Sequence, residues 1–143
     1  MSFAADIASL VLVGALFGGM LFFAALYAPL VFIKLEPDVA SGFIREVFPV
    51  YYLVMGMTSA LAAATLSVGL WHAAIDAVAM ALVSAAFFAV RGLLLPAANR
   101  ARDARDTDPA AARRFALLHR ASVLINAIQL VVVLAILVRY LWS

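Results

Sequence analysis

Residues 7–33 read IASLVLVGALFGGMLFFAALYAPLVFI, a run without one charged side chain. In a helix rising 1.5 Å per residue this run extends about 40 Å, and about 20 apolar residues already cross a hydrocarbon core of about 30 Å. The pattern recurs three times. Residues 47–75, 77–90 and 121–138 are also uncharged, the third of the four reaching full length once Asp76 and Arg91 are allowed near its ends. Composition agrees: the 143 residues are 68% hydrophobic and 13% charged, against roughly 45–50% and about 25% in soluble domains. The reading is all-α, a single domain over residues 1–143 folded as a four-helix transmembrane bundle. A secretory signal starts with a basic segment, whereas Asp6 is the charge that precedes the first run, so that run is read as a retained span.

Orientation follows from where the basic residues lie. Lys34, Arg45, Arg91, Arg100, Arg102, Arg105, Arg113, Arg114 and Arg120 fall in or beside the first and third loops, and Arg139 stands alone on the other face. Basic residues in short loops stay on the cytoplasmic side. The expected topology therefore puts both termini outside and loops one and three in the cytoplasm, with the bacterial cytoplasmic (inner) membrane as location.

In loop one, Val39, Phe43, Ile44, Val47 and Phe48 recur at helical spacing after Pro37, with Asp38, Ser41, Arg45 and Glu46 on the other side. The pattern predicts a short amphipathic interfacial helix between helices 1 and 2, ended by Pro49 at the first turn of span two. Between spans two and three, Gly69, Trp71 and His72 leave room for a tight hairpin with Trp71 at the interface. In loop three, Asp108-Pro109 pairs a cap with a proline at the first helical position, so helix four is expected to start well before the membrane. Its arginines, interleaved with Asp103 and Asp106, read as a solvated hairpin near anionic headgroups. Mixed charge without an aromatic platform argues against a nucleic-acid surface, and no nucleic-acid partner is expected.

Helices in lipid associate through close approach rather than through apolar faces. Small residues supply candidates at fourfold spacing: Gly14 and Gly18 beside Gly19 in span one, Ser59, Ala63 and Ser67 in span two, and the ladder Ala73, Ala77, Ala81, Ala85 and Ala89 in span three. These are expected to form the seams between helices.

The polar residues that could bind something gather on helix four, where His119, Ser122, Asn126 and Gln129 follow one another at spacings of three, four and three. They share a face and descend about 15 Å from the cytoplasmic end, where polar groups normally meet a partner helix or a wet cavity. Arg91 enters from helix three at that end, and Tyr51 and Tyr52 stand at the same level of helix two. One reading makes them an interhelical hydrogen-bond network, with Arg91 paired to Glu46 or a headgroup phosphate. The other makes Arg91, His119 and Asn126, with Tyr51 or Tyr52, one ligand site around an anion, since these types supply donors, a fixed charge and a titratable base at one pocket mouth.

Other chemistry is bounded by what the chain lacks. It has no cysteine, which excludes disulfides, thiolate metal sites and cysteine catalysis. His72 and His119 lie at opposite ends of spans, about 30 Å apart, so one chain cannot place both on one haem. Single ligation of haem through His119 survives as an alternative. Met55 and Met57, two apart, fall on different faces and read as packing filler rather than a metal site.

The segments Gly14-Ala-Leu-Phe-Gly-Gly, Arg45-Glu-Val-Phe-Pro49-Val-Tyr51-Tyr, Arg91-Gly-Leu-Leu-Leu-Pro96 and Phe115-Ala-Leu-Leu-His119-Arg-Ala-Ser122-Val-Leu-Ile-Asn126 occur in this order. Together they resemble the TMEM205-like family, whose bacterial members carry the DUF4149 domain. The resemblance covers nearly the whole chain and implies an integral membrane protein of four spans. Animal relatives are connected with platinum-drug resistance, and no reaction, cofactor or substrate comes with the family. The third loop is shorter here and lacks the animal proteins' cysteines, which tells against thiol-based metal handling.

The function expected from all this is a non-enzymatic bundle, resident in the lipid bilayer, whose cytoplasmic-side pocket binds a small amphiphilic or anionic ligand or a partner membrane protein. Two alternatives stand beside it. One is a haem- or quinone-associated redox protein using His119; the other is an export or resistance component acting as a homo-oligomer.

Overall fold

The computed structural model describes residues 2–69 and 74–142; Trp71, His72 and Ala73, with the tight hairpin expected there, lie outside the described residues. Four long apolar helices run back and forth. Helix α1 comprises Ser2–Phe22, a π-helical turn Phe23–Tyr27 and Ala28–Lys34, and α2 is Pro37–Val68. Helix α3 comprises Ala74–Ala89, a second π turn Val90–Leu94 and Leu95–Asp103, and α4 is Pro109–Trp142.

Both π turns have the same cause. In each, the residue before a proline closes the wide turn, the Ala28 N–H donating to the Phe23 carbonyl and the Leu95 N–H to the Val90 carbonyl. Pro29 and Pro96 then follow with no N–H to donate and a ring that crowds the carbonyl four residues back, and one extra residue in the turn relieves that crowding. Pro37 and Pro109, by contrast, open α2 and α4, where a missing N–H costs nothing. The Asp108 carboxylate caps α4 by accepting the Ala110 N–H at 2.9 Å.

The expected interfacial helix is not a separate element. Residues 37–48 form the first turns of α2, which runs unbroken through Pro49. Ala40 and Ile44 are buried there against Val31 of α1, which holds the segment in line, while Val39 and Phe43 stay exposed. That packing outweighs the hydrogen bond the proline removes.

Helices α2 and α4 each pack on both α1 and α3. The core between them includes Leu16, Met20, Met80, Phe87 and Val133. The seams keep part of the expected small-residue ladders, with Ser59 buried and Ala63 and Ala77 half-buried against the core, and depart from the rest. Ala81, Ala85 and Ala89 are exposed, and α3 turns Met80, Val83, Ser84 and Phe87 inward instead. Met80 and Phe87 fill the core between the helices with dispersion contact, and the small Ser84 stands where α3 comes nearest to α2. Gly14 and Gly18 likewise leave open space around a Cβ, whereas Gly19 meets Met55 of α2. The close approach falls at Gly56, whose carbonyl accepts the Ser84 hydroxyl at 2.8 Å and whose Cβ position lies 3.0 Å from the Phe88 ring.

Candidate functional site

The end of the bundle that carries loops one and three holds two adjoining cavities. The first, about 270 Å³, is a vestibule between α2, α3 and α4 whose polar wall is Ser41, Arg45, Asn99, Arg102, Arg105 and His119. The second, about 320 Å³, is a groove between α1 and α4, where Ala24, Ala28 and Pro29 face Val123 and Asn126. Phe32, Phe48, Tyr52, His119 and Ser122 belong to both walls, so the two spaces meet there. The α1 side of the groove begins in the Pro29 π turn. Its α4 side is the face predicted from the spacing of His119, Ser122 and Asn126.

The charges of the vestibule are held in place. Arg45 and Asp103 form a two-point ion pair at 2.7 and 3.0 Å that ties α2 to α3, a bidentate geometry that fixes the guanidinium plane. Arg102 donates from Nη1 to the Ser41 carbonyl at 3.0 Å. Arg105 lies over the Phe115 ring at 5.9 Å with Asp106 at 3.5 Å from its Nε, and Phe115 in turn stacks on His119 at 6.0 Å between ring centres. Three arginines thus face two carboxylates. Each guanidinium has five N–H donors, and the contact to Ser41 occupies one of those on Arg102.

Deeper in, the Tyr51 hydroxyl donates to Asn126 Oδ1 at 3.1 Å, and the Tyr51 ring stacks on Phe23 at 4.1 Å. This pair closes the floor of the groove against the bundle core. The Ser122 hydroxyl donates to the His119 carbonyl at 2.8 Å, a bond within its own helix.

Tyr51, Tyr52, His119, Ser122 and Asn126 are therefore brought to one place, and Arg91 and Gln129 stand elsewhere. Arg91 is exposed, its Nε donating to the Pro49 carbonyl at 3.0 Å, and it lines neither cavity. Its contact is backbone of α2 rather than Glu46. Gln129 is buried and fastens α4 to α3 by donating to the Val83 carbonyl at 3.0 Å. Arg102 and Arg105, expected in the solvated hairpin, Arg45, expected on the polar side of the loop-one helix, and Asn99, which no motif singles out, are wall residues as well. The recoverable signal was the spacing of Leu95, Ala98, Asn99 and Arg102, which places them on one face of α3.

A second polar cluster lies at the opposite end. Tyr140 donates to the Asp6 carbonyl at 2.8 Å, Ser9 to Thr65 Oγ1 at 2.8 Å, and buried Asp76 has Arg139 at 3.7 Å. This cluster joins Asp76, expected as a flank of the third span, to Arg139, expected as the lone basic residue of that face. Among the described residues no three His, Cys, Asp or Glu side chains gather as metal ligands would.

Four apolar helices of this length, packed with their polar side chains turned inward or to the ends, define a polytopic integral membrane protein. A model described as a domain of unknown function, DUF4149, matches residues 11–107, from α1 through the loop after α3, and the chain belongs to that family. Neither the curated proteins nor the solved structures contain a match.

Proposed function

We propose that the protein is a non-enzymatic binding protein of the bacterial cytoplasmic membrane, with both termini outside, whose cytoplasmic vestibule holds the anionic group of a small ligand. The observation that carries this is the vestibule wall itself. Arg102 and Arg105 stand beside His119 and Asn99 in a cavity continuous with an apolar groove. A solvated hairpin needs no such enclosure. In this reading Arg102 and Arg105 attract and orient the anion, the Arg45–Asp103 pair keeps α2 and α3 at the right separation, and His119 with Ser122 lines the passage from charge to apolar surface. The positive balance of loops one and three supports the orientation.

The test is thermal stabilisation of the purified protein, in a neutral maltoside detergent, by dodecyl phosphate. A hydrogen bond to a charged group contributes roughly 1.5–3 kcal/mol, so Arg102→Ala should weaken binding about tenfold to a hundredfold. His119→Ala should weaken it less, and both variants should remain folded. Equal affinity in wild type and Arg102→Ala would overturn the assignment.

A further inference from the structure

The groove between α1 and α4 has three properties that the vestibule does not require. Its rim residues Ala24, Pro29 and Val123 are exposed, and they lie within the uncharged stretches 7–33 and 121–138, so it opens toward hydrocarbon rather than water. It runs along the helices from His119 to Asn126 on one side and from Phe32 to Phe23 on the other, about 10–14 Å at 1.5 Å per residue. That is most of one leaflet, whose hydrocarbon is about 15 Å deep. It is also a dead end, because Tyr51, bonded to Asn126 and stacked on Phe23, closes it from the interior.

Two seams of the bundle contrast in the same sense. The α2–α3 seam is drawn shut at Gly56 and Ser84. The α1–α4 seam is fastened at the far end by Tyr140 and Asp6 and parts toward the basic end, where the Pro29 turn widens α1. Polarity along the opening is graded. Arginines stand at the water-facing end, His119 and Ser122 come next, and the deep part is lined by Phe23, Ala24 and Val123 with Asn126, whose Oδ1 is taken by the Tyr51 hydroxyl. A phosphate followed by an ester region and then a hydrocarbon chain has the same order.

We infer that the groove seats an acyl chain of an anionic phospholipid, taken laterally from the leaflet at the basic end with its phosphate in the vestibule. This deepens the anion-binding reading and rests on it. The complementarity of charge selects the occupant: a net negative headgroup suits a wall where three arginines face two carboxylates, a zwitterionic headgroup brings a cation back beside them, and a soluble anion leaves the groove empty.

The experiment places the full chain in phosphatidylcholine vesicles doped with spin-labelled phosphatidylglycerol or spin-labelled phosphatidylcholine, and compares the motionally restricted fraction of each. Binding of inorganic phosphate to the detergent-solubilised protein is measured in parallel by equilibrium dialysis. Ala28→Trp fills the groove, with Ala24→Trp as a second filling variant, and Ala25→Trp on the adjacent outward surface is the control. The expected result is a several-fold preference for phosphatidylglycerol in wild type and Ala25→Trp, falling to no preference in the filling variants, with phosphate binding equal in all four. Preference retained in both filling variants overturns the groove assignment. Phosphate binding without any phosphatidylglycerol preference in wild type overturns it too, leaving a free anion as the ligand and the vestibule reading intact. Absence of both in wild type removes the vestibule reading, and this inference with it. Loss of phosphate binding in both filling variants would show that the groove is structural and not a seat for lipid.

Discussion

Replacing Gly56 with leucine should damage the bundle, and replacing Ala85 with leucine should not, although spacing alone suggests the reverse. At Gly56 a Cβ stands 3.0, 3.1 and 3.3 Å from three carbons of the Phe88 ring. Alanine there gains up to about 1 kcal/mol in helix propensity and needs only a small outward swing of Phe88, which is 38% exposed. Gly56→Ala is therefore expected within about 1 kcal/mol of wild type. Leucine extends further into a seam whose spacing is fixed by the Ser84 hydroxyl on the Gly56 carbonyl, and overpacking of this kind costs about 1–3 kcal/mol. Ala85 is exposed, so Ala85→Leu should fall within about 0.5 kcal/mol. Reversible denaturation of the detergent-solubilised protein by sodium dodecyl sulfate, followed by circular dichroism, ranks the variants. Gly56→Leu combined with Phe88→Ala should recover part of the loss, because the two side chains compete for one space. The packing scheme is refuted if Ala85→Leu is as costly as Gly56→Leu.

Other consequences can be checked on the same material. Tyr51→Phe removes the bond to Asn126, and interhelical hydrogen bonds in membranes average about 0.6 kcal/mol with a maximum near 1.7; a loss in that range is expected, shrinking toward zero in an Asn126→Ala background in a double-mutant cycle. Arg139→Ala leaves the buried Asp76 carboxyl without its charged neighbour, so denaturation should come earlier than in wild type by about 1–3 kcal/mol, and adding Asp76→Asn should restore part of the difference. Reporter fusions after Trp142 should behave as periplasmic and fusions near Asp106 as cytoplasmic; the opposite pattern would invert the membrane orientation.

The spans were legible because charge is so costly in hydrocarbon that uncharged runs mark them directly, and the α4 start was legible because Asp108-Pro109 couples a cap to a proline that fits the first turn. Pro49 misled for a related reason. A proline removes a hydrogen bond wherever it sits, but whether the helix ends there depends on packing along its length, and Ala40 and Ile44 against Val31 are contacts across helices that no local pattern displays. The alanine ladder failed similarly: spacing identifies a face of α3 without saying which way it turns. In the site, the stripe of His119, Ser122 and Asn126 was visible because polar residues are rare in spans. Arg102 and Arg105 were hidden among other hairpin arginines, since only the tertiary fold separates cavity walls from solvated surface. Arg91 stood out as the deepest cation, yet the backbone of Pro49 takes its hydrogen bond.

The central claim is that the vestibule recognises negative charge on an amphiphile, and calorimetric titration of the solubilised protein with chains of equal length and opposite headgroup charge tests it most directly. Dodecyl phosphate should bind saturably at one site per chain, dodecyltrimethylammonium should not, and Arg102→Glu should abolish the difference while leaving the bundle folded. Equal binding of the two amphiphiles by wild type, or undiminished preference for dodecyl phosphate in Arg102→Glu, would contradict the account.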